Sequence, residues 1–450
     1  MAKKKNKKKN TGKPAGVTQP AVKLSQVMIV KNEEKNIERA LGWAKDITIE
    51  QIVVDTGSTD RTVELAEKMG AKVYHFEWIN DFSAAKNYAM DLAKGDWIAI
   101  LDADEYMSDK DAKELIYVLK RIQNDPVASK KCEAITCTFV NLDDDGNTTA
   151  VISHQRVFRN LPHLRYEGKI HEVIRINDGQ MNVPDIRIIH TGYTKATYTD
   201  TNKKERNIMM LRKELENDPD NADMMLYLAD SLKGAGTKES LDEAIDLFNK
   251  ALRSEKTANT STKQLAYNFL IPRYSGDDTI KEEAMKLCND AVRDFPDYLD
   301  YYYYRAVLNN SSGNYTAAQD DLLTCENKFM SAVTVPTTNV LMPSPILLYL
   351  QMKLSAKGLN DEDSISRNST IIKVILTDSK NEINVLGPYI RALLWHGATD
   401  KEALSELAEI YDLNDPKDLL FIARAAKDNG AAEFTRTVME IAGKMLGKQE

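Results

Sequence analysis

Short apolar runs alternate with amphipathic stretches through the first hundred residues, and this alternation limits the possible folds more than any other feature. The apolar runs predict strands at residues 27–30, 52–54, 72–76 and 97–101, and the amphipathic stretches predict helices at 34–44, 62–69 and 83–94. Strands and helices that alternate at this spacing form crossover units, with helices on both faces of a parallel sheet. We therefore predict an α/β domain.

Polar clusters follow three of these strands. They are Lys31-Asn32-Glu33, Asp55-Thr56-Gly57-Ser58 and Asp102-Ala103-Asp104-Glu105. Ligands of open parallel sheets bind beyond the carboxyl ends of the strands. We therefore expect the three loops to converge on one rim of the sheet. Further strands at residues 134–140, 151–158 and 186–190 should extend the sheet in antiparallel fashion.

From about residue 198 onward the pattern is helical, and it contains a repeat. Leu228, Ala229 and Leu232 precede Ala244, Phe248 and Ala251, with a turn at residues 236–240 that lengthens the unit. Ala284, Cys288, Ala291 and Pro296 are followed 34 residues later by Ala318, Leu322 and Cys325. This is the tetratricopeptide period. We predict about three such units between residues 219 and 329, and helical hairpins beyond residue 343. A generic helical bundle remains the alternative, because alanines at helical spacing also mark ordinary cores.

Composition excludes several classes of protein. The net charge of −8 over 450 residues argues against bulk nucleic-acid binding, which needs a basic surface. Residues 1–22 begin with a lysine-rich stretch that no apolar run follows, so we expect a flexible tail rather than a signal peptide. No stretch approaches the roughly 20 apolar residues of a spanning helix. The four cysteines show no paired spacing, and we expect a cytoplasmic protein with reduced thiols.

The Asp102-Ala103-Asp104 triplet is the first candidate site, because both carboxylates follow a buried strand. Mg²⁺ and Mn²⁺ prefer oxygen ligands shared between carboxylates and substrate phosphates. A solvated acidic turn would be the ordinary interpretation of such a triplet elsewhere on a surface. In the next cluster, Gly57 permits a tight turn, and Ser58 or Asp60 can cap the following helix. Asp55 has no capping role to explain it.

Three ordered segments carry a family resemblance. They are residues 53–60 (VVDTGSTD), 81–87 (DFSAAKN) and 100–105 (ILDADE). Together they resemble the inverting family 2 glycosyltransferases with the GT-A fold, over roughly residues 25–193. The segments 155–160, 166–172 and 190–193 resemble a subgroup that includes lipopolysaccharide-core glucosyltransferases and the peptide S-glycosyltransferases of glycocins such as sublancin, which also carry tetratricopeptide-like helices.

The resemblance implies a fold, a division of the chain and a donor site. It implies a GT-A domain with a mixed, mainly parallel sheet at residues 23–198, tetratricopeptide-like repeats at 199–335 and helical hairpins at 336–450. The nucleotide sugar, a UDP-hexose or UDP-N-acetylhexosamine, would be bound by Val30, Lys31, Asn32, Glu33, Asp55, Lys86, Asn87, Asp102, Ala103 and Asp104. Lys86 stands where the family usually has arginine, so it keeps the charge and loses the bidentate fork.

Three further residues are candidates for chemistry. Asp102, Asp104 and His190 would hold Mn²⁺ or Mg²⁺, since imidazole is also a metal ligand. His171 and Glu172 are candidates for the base that removes the acceptor proton. A structural histidine at His190 and a strand-end charge pair at His171 and Glu172 are the alternatives.

We weigh three functions. The first is sugar transfer from a UDP-sugar to a cysteine, serine or threonine of a peptide or protein, which the repeats favour because their concave surfaces suit polypeptide binding. The second is transfer to a surface glycan or lipid-linked acceptor, with the repeats used for a homodimer. The third is an inactive scaffold that recruits partners through its repeats.

Overall fold

The computed structural model describes residues 22–191, 201–254, 256, 260–331, 341 and 344–446. The predicted tail before residue 22 and residues 192–193 of the resemblance lie outside this part of the chain. The chain divides into two compact units, Met1–Asn217 and Asp218–Glu450. The domain boundaries predicted from the sequence at residues 198 and 335 remain predictions.

The first unit is an α/β domain, as predicted. Its strands are β1 (Leu24–Val30), β2 (Glu50–Asp55), β3 (Lys72–His75), β4 (Trp97–Ile100), β5 (Glu105–Met107), β6 (Ala134–Leu142), β7 (Thr148–Arg159), β8 (Tyr166–Glu167), β9 (Val173–Ile174) and β10 (Gln180–His190). Its helices are α1 (Ile37–Gly42), α2 (Thr62–Lys68), α3 (Phe82–Asp91), α4 (Asp109–Asn124), α5 (Ala128–Lys131) and α6 (Thr201–Asn217).

Eight of these strands form one mixed sheet in the order β3-β2-β1-β4-β7-β6-β10-β5. Strands β3, β2, β1 and β4 are parallel neighbours, whereas β7 runs antiparallel to both β4 and β6. Strand β10 runs parallel to β6 and antiparallel to β5, so the prediction that the strands at 134–140 and 186–190 extend the sheet in antiparallel fashion is wrong for this pair. The GT-A fold class inferred from the resemblance is confirmed. The sequence did not predict β5, β8 or β9.

The sheet curls back on itself between β4 and β5. Four residues separate these strands along the chain, but three other strands lie between them in the sheet. A flat sheet would place them about 19 Å apart at ordinary strand spacing. An extended connection of this length reaches at most about 18 Å, and here it contains a turn closed by Glu105 N–H and the Asp102 carbonyl. The curvature therefore sets the acidic triplet in a concave edge.

The parallel strands have continuous apolar sequences because other elements cover both faces of the sheet. Val27, Ile52 and Ile98 pack on one face with Met90 of α3. Met28 and Val53 pack on the other face with buried residues of α1 and α2, which are Ile37, Ala40, Leu41, Leu65 and Ala66. Burial on both faces fixes the register of these strands, and so fixes where their polar ends emerge.

In the described part of the second unit, the regular elements are helices. The α-helices are α7 (Ala222–Lys233), α8 (Lys238–Arg253), α9 (Thr260–Tyr274), α10 (Lys281–Asp294), α11 (Leu299–Ser311), α12 (Tyr315–Ser331), α13 (Ile346–Leu359), α14 (Glu362–Asp378), α15 (Ile383–Trp395), α16 (Asp400–Leu407), α17 (Pro416–Asp428) and α18 (Ala432–Leu446). A single-turn 3-10 helix, Asp278–Ile280, precedes α10.

Helices α7 to α12 form three successive pairs, which matches the number of repeat units predicted. The small repeat residues at their contacts are fully buried, namely Ala244, Ala251, Ala284, Cys288, Ala291, Ala318 and Cys325. Because small side chains let paired helices approach closely, the period detected in the sequence has a packing cause. Helices α13 to α18 continue as the predicted hairpins. Within the described residues, no helix has both the length and the apolar character needed to cross a membrane.

Candidate functional site

The loops that follow β1 and β2 are joined to each other by side-chain to backbone hydrogen bonds. The Asn32 N–H donates to Ser58 Oγ at 2.9 Å, and the Thr59 N–H donates to Asn32 Oδ1 at 2.8 Å. Asn32 adopts a left-handed conformation with φ of 57°, which asparagine tolerates better than most residues. The Glu33 N–H donates to Thr62 Oγ1 at 2.7 Å. The two loops therefore form one rigid half of the rim.

Asp55 lies at the end of β2 and has a structural role that its sequence position did not indicate. Its buried carboxylate accepts hydrogen bonds from the backbone N–H groups of Gly57 and Ser58 at 3.1–3.2 Å. His75 Nδ1 lies 3.5 Å from Asp55 Oδ2. Asp55 caps no helix among the described residues, as expected, but it holds its own turn. Its predicted contact with the nucleoside remains a prediction. Beside it, Val30 is buried and Lys31 is exposed.

Asp102 lies between two cations at the carboxyl end of β4. Lys86 Nζ is 3.7 Å from its Oδ1, and Arg156 Nη2 is 3.7 Å from its Oδ2. The Asp102 side chain is 42% exposed, whereas those of Lys86 and Arg156 are only 8% and 13% exposed. Burial would raise the pKa of Asp102, but the two cations outweigh burial and lower it. The carboxylate thus stays ionised at the opening of the site.

Lys86 also binds Glu172, one of the two predicted base candidates. Its Nζ donates to Glu172 Oε1 at 2.6 Å and lies 5.1 Å from the centre of the Tyr166 ring. Burial alone would lower the pKa of Lys86, but Asp102, Tyr166 and Glu172 together raise it. Lys86 is therefore a permanent cation that joins the metal-binding candidate Asp102 to the base candidate Glu172.

The first turns of α3 hold the segment that carries Glu172. Asp81 caps α3 by accepting from the Ala84 N–H at 2.8 Å. The Phe82 N–H donates to the Lys169 carbonyl at 2.9 Å. Asn87 exchanges two hydrogen bonds with the backbone of Tyr166, at 2.8 and 2.9 Å. The 81–87 motif therefore positions residues 166–172 as well as Lys86. Asn87 supports this segment, and its predicted contact with the nucleotide sugar remains a prediction.

Arg156 is a site residue that the sequence analysis did not select. It forms a two-pronged ion pair with Glu105 through Nε at 2.8 Å and Nη2 at 2.6 Å. Glu105 is 2% exposed, and burial raises its pKa despite this pair. The pairing of β6 with β7 skips Arg156, because Ile135 pairs with Val157 and Thr136 pairs with Gln155. Such a bulge redirects a side chain, and here it accompanies the approach of Arg156 to Asp102.

Asp104 and His190 lie together on the opposite side of the triplet. His190 Nε2 is 3.4 Å from Asp104 Oδ2, while its Nδ1 is 2.7 Å from Asn141 Oδ1. The amide oxygen of buried Asn141 accepts from Nδ1–H, so Nε2 donates to the Asp104 carboxylate in the protonated imidazole. Burial lowers the pKa of His190, but the bond to Asp104 outweighs it and the pKa is raised. Asn141 is a second residue that the sequence analysis missed.

This pair fits part of the predicted metal site. The oxygen and imidazole donors suit Mn²⁺, and a fixed outer hydrogen bond is typical of metal-binding histidines. Among residues 22–191 and the other described ranges, however, no group of three His, Cys, Asp or Glu side chains is close enough to hold an ion. Asp102, the third predicted ligand, faces Lys86 and Arg156. The metal remains a prediction.

The remaining predicted residues lie nearby. Glu33 is partly buried, and burial followed by the charges of Asp104 and Asp102 raises its pKa even though Asn36 donates to it. Ala103 is buried between the two aspartates. His171 is exposed with a left-handed φ of 55°, directly before Glu172. The predicted donor and acceptor residues therefore meet at one edge of the sheet.

Comparison with known proteins gives matches to the first unit and to longer stretches of the chain. The family described as Glycosyl transferase family 2 matches residues 25–132. A TPR repeat-containing protein of Synechococcus elongatus is 32% identical over 268 residues, which cover 56% of this chain and 62% of the relative. The SPbeta prophage-derived glycosyltransferase SunS of Bacillus subtilis is 26% identical over 237 residues, which cover 52% of this chain and 54% of the relative.

Among solved structures, residues 1–349 of TarS from S. aureus match with 14% identity and a TM-score of 0.35, covering 65% of this chain and 92% of that one. Residues 25–132 thus match the family 2 model, and the chain is similar to a glycosyltransferase and to a repeat protein. Its matches span only about three fifths and one half of the length of the two curated relatives.

Proposed function

Because residues 25–132 match the family described as Glycosyl transferase family 2, we propose that this chain is an inverting glycosyltransferase. It moves a hexose or N-acetylhexosamine from a UDP-sugar to a cysteine, serine or threonine of a peptide or protein. The observation that carries the proposal is the placement of two buried cations, Lys86 and Arg156, on either side of Asp102 at the carboxyl edge of the parallel strands. The rest of the site is assigned around this arrangement.

The donor half of the site binds the nucleotide diphosphate. The loops carrying Asn32 and Asp55 form a rigid surface for the nucleoside, because each is hydrogen-bonded before a ligand arrives. Lys86 and Arg156 stabilise the negative charge that appears on the diphosphate as its bond to the sugar breaks. Charges fixed in a poorly hydrated site act more strongly than in water, and they need no reorganisation during the reaction.

Asp102, Asp104 and His190 would hold a divalent cation. When bound, Mn²⁺ or Mg²⁺ neutralises the departing diphosphate. Asn141 supports this role by orienting His190, and the exposure of Asp102 leaves its carboxylate accessible to a ligand.

On the acceptor side, Glu172 is the base candidate with the better placement. Lys86 occupies its Oε1, so we assign acceptance of the acceptor proton to Oε2. The acceptor oxygen or sulfur then attacks the sugar carbon from the side opposite the diphosphate, which inverts that carbon. A thiol asks less of this base than a hydroxyl does, because its own pKa is about 8.5. His171, the exposed neighbour, is the second candidate.

A polypeptide acceptor is supported by the helical repeats of the second unit, because stacked helix pairs provide extended surfaces of the kind that bind peptides and partner proteins. The same surfaces could join two copies of the chain, and a homodimer is part of the proposal. We also place the reaction in the cytoplasm, where the reduced state of four buried cysteines would persist.

Labelled UDP-sugars test the proposed acceptor. The full chain is incubated with each sugar, Mn²⁺ and a cell extract, and the label is then traced to protein, glycan or lipid. We expect label in protein that is resistant to lipid extraction. Label found only in lipid or free glycan would contradict the polypeptide acceptor, and no release of UDP in any reaction would contradict the transferase itself.

Two substitutions test the base. Glu172→Gln should lower the transfer rate by about 100-fold, the usual range for loss of a general base, with little change in the affinity for UDP. His171→Ala should have an effect below about ten-fold. Near-full rates for both folded variants would show that the base lies elsewhere.

A further inference from the structure

Strand β7 extends far beyond its neighbour β4. Strand β4 pairs only with the last residues of β7, where Trp97, Ile98 and Ala99 face Arg159, Phe158 and Val157. Strand β6 pairs with β7 from Thr148 onward. At about 3.3 Å per residue, the nine residues 148–156 continue for roughly 30 Å past the last β4 pair.

One edge of this extension is open. In the part of the chain that the structure describes, no strand pairs with Thr148–Gln155 on the side away from β6. The side chains of residues 148–153 are exposed, with Val151 at 60% and Ile152 at 48%, and those of His154 and Gln155 are partly buried. Natural sheets usually protect such an edge with lysine, proline or a covering element. Residues 148–155 contain no lysine, no other formally charged residue at neutral pH and no proline.

The open edge leads to the donor site. Because β7 is antiparallel to β4, its lower residue numbers lie beyond the carboxyl end of β4, on the ligand side of the sheet. Arg156, the next residue after the open edge, reaches Asp102 at 3.7 Å. A strand added beside residues 148–155 would occupy the position that β4 would take if it were longer. One end of that strand would therefore meet the site at Asp102.

The chemistry of the edge indicates what it fits. Four of its residues are β-branched, namely two threonines, one valine and one isoleucine. Such residues favour extended partners that also carry β-branched side chains. At the far end, the turn between β6 and β7 exposes Asp144 and Asp145. A partner with a basic residue about eight positions from its acceptor side chain would complement both ends, since eight strand residues span about 26 Å.

We propose that an extended polypeptide acceptor docks as an added strand along the open edge of β7, between Thr148 and Gln155, and so delivers its acceptor side chain to Asp102. This inference rests on the proposed function. Backbone hydrogen bonds supply the affinity in this mode of recognition, and alternate side chains supply the selectivity. The mode explains how one surface can accept several sequences, provided that they adopt a strand.

Hydrogen–deuterium exchange on the full chain with UDP and Mn²⁺ tests the docking directly. The probe is an acetylated ten-residue peptide of alternating threonine and valine, with one cysteine near one end and one lysine near the other. Outward-facing amides recur at every second residue of a strand. We therefore expect exchange at alternate amides of residues 148–155 to slow by at least about five-fold. Unchanged exchange at these amides, with a peptide that becomes glycosylated in a parallel reaction with a UDP-sugar, would overturn the proposal.

Methylation of the peptide backbone provides a matched control. Two versions of the probe carry N-methyl groups at every second residue, in opposite phases. One phase removes the hydrogens that face β7, and the other removes those that face away. We expect transfer to one version to fall at least about ten-fold and transfer to the other to stay within about three-fold. Equal behaviour of the two versions would overturn strand addition.

Variants of the protein give the reciprocal test. Neighbouring residues of a strand point their N–H groups to opposite sides, so one of Val151→Pro and Ile152→Pro removes an outward donor. That variant should lose peptide transfer by about five-fold or more while still releasing UDP to water. Val151→Thr keeps the backbone and should transfer normally. Normal peptide transfer by both proline variants would overturn the proposal.

These outcomes separate the docking proposal from the proposed function. Binding and turnover of the UDP-sugar without any protection of β7 by peptide would overturn docking and leave the transferase standing. Absence of UDP-sugar binding would overturn the transferase itself. Protection of β7 that depends on protein concentration and needs no peptide would show that a second copy of the chain occupies the edge, which also overturns the proposal.

Discussion

Both units of this protein bury polar side chains, but they do so in different ways. In the second unit, Asn310 donates to Gln351 at 3.0 Å, and Ser355 donates to Asn310 at 2.8 Å. Buried charges there are matched singly, as in Arg305 with Asp321 at 2.6 Å and Lys353 with Glu406 at 2.8 Å. Such groups satisfy one another, and we assign them to packing.

In the first unit, buried cations are shared among several carboxylates at an open edge. Lys86 forms ion pairs with Glu172 and Asp102, and Arg156 forms ion pairs with Glu105 and Asp102. The carboxylate common to both is the exposed one. Clusters of titratable groups with shifted pKa values are typical of functional sites, whereas closed pairs are typical of structural ones. The comparison therefore predicts where substitution will change turnover and where it will change only stability.

The largest difference should come from two aspartate to asparagine substitutions. Asp102→Asn should lower the rate of sugar transfer by about 1,000-fold, as expected for lost electrostatic stabilisation of the transition state. Asp321→Asn in the second unit should destabilise the protein but leave turnover within about two-fold. Initial rates with labelled UDP-sugar and thermal unfolding separate the effects. The comparison fails if Asp321→Asn proves the more damaging to turnover.

The next largest contrast should come from replacing one arginine of an ion pair in each unit, Arg156 in the first and Arg305 in the second. Arg156→Met leaves Glu105 buried without its cation, and the free energy of unfolding should fall by about 3 kcal/mol. Arg305→Met should cost stability as well, because it leaves Asp321 unpaired. Only Arg156→Met should also weaken UDP binding, measured by calorimetry. Equal affinity of the two variants for UDP would remove Arg156 from the site.

A pair of lysine substitutions should show a smaller contrast. Lys86→Met should reduce the transfer rate by about 30-fold, because one of two cations near the diphosphate is lost. Lys353→Met leaves Glu406 with the Tyr389 hydroxyl at 2.6 Å, so the change should stay local and turnover should be preserved. Steady-state rates and urea unfolding of both variants provide the measurement. A normal rate for folded Lys86→Met would contradict the assignment of Lys86 to the donor.

The smallest effect concerns pH. Burial lowers the pKa of His396 to about 4 from 6.5, so the unfolded chain binds the proton first as pH falls. The stability that this histidine contributes is complete above pH 6.5 and is lost as pH falls toward 4. His396→Gln should therefore reduce the loss of stability between pH 7 and pH 5 by about 2 kcal/mol. Urea unfolding at both values tests this, and an unchanged pH dependence would contradict the assigned burial.

Much of this architecture could be predicted from the sequence, because its signals are local. Apolar runs located β1, β2 and β4, and a 34-residue period located the helix pairs. Asp55 and Asp102 could be predicted to lie near each other because each comes at the end of a parallel strand. Burial on both faces of the sheet fixes where such a strand ends. The 81–87 motif placed Lys86 nearby through resemblance to a family.

The residues that the sequence did not reveal depend on long-range pairing. Arg156 reaches Glu105, 51 positions away, because β7 pairs with β4 and carries a bulge. A bulge leaves no periodic signal, and an arginine within a strand is otherwise expected to face solvent. Asn141 is similar, because it meets His190 only through the parallel pairing of β6 with β10.

Titration of UDP into the full chain with Mn²⁺ tests the central claim most directly, because it asks whether the shared-charge cluster is the donor site. We predict that the wild-type protein binds UDP, that Lys86→Met binds at least about ten-fold more weakly, and that Lys353→Met binds as the wild type does. Equal affinity of Lys86→Met and the wild type, or no binding by the wild type at all, would contradict the account.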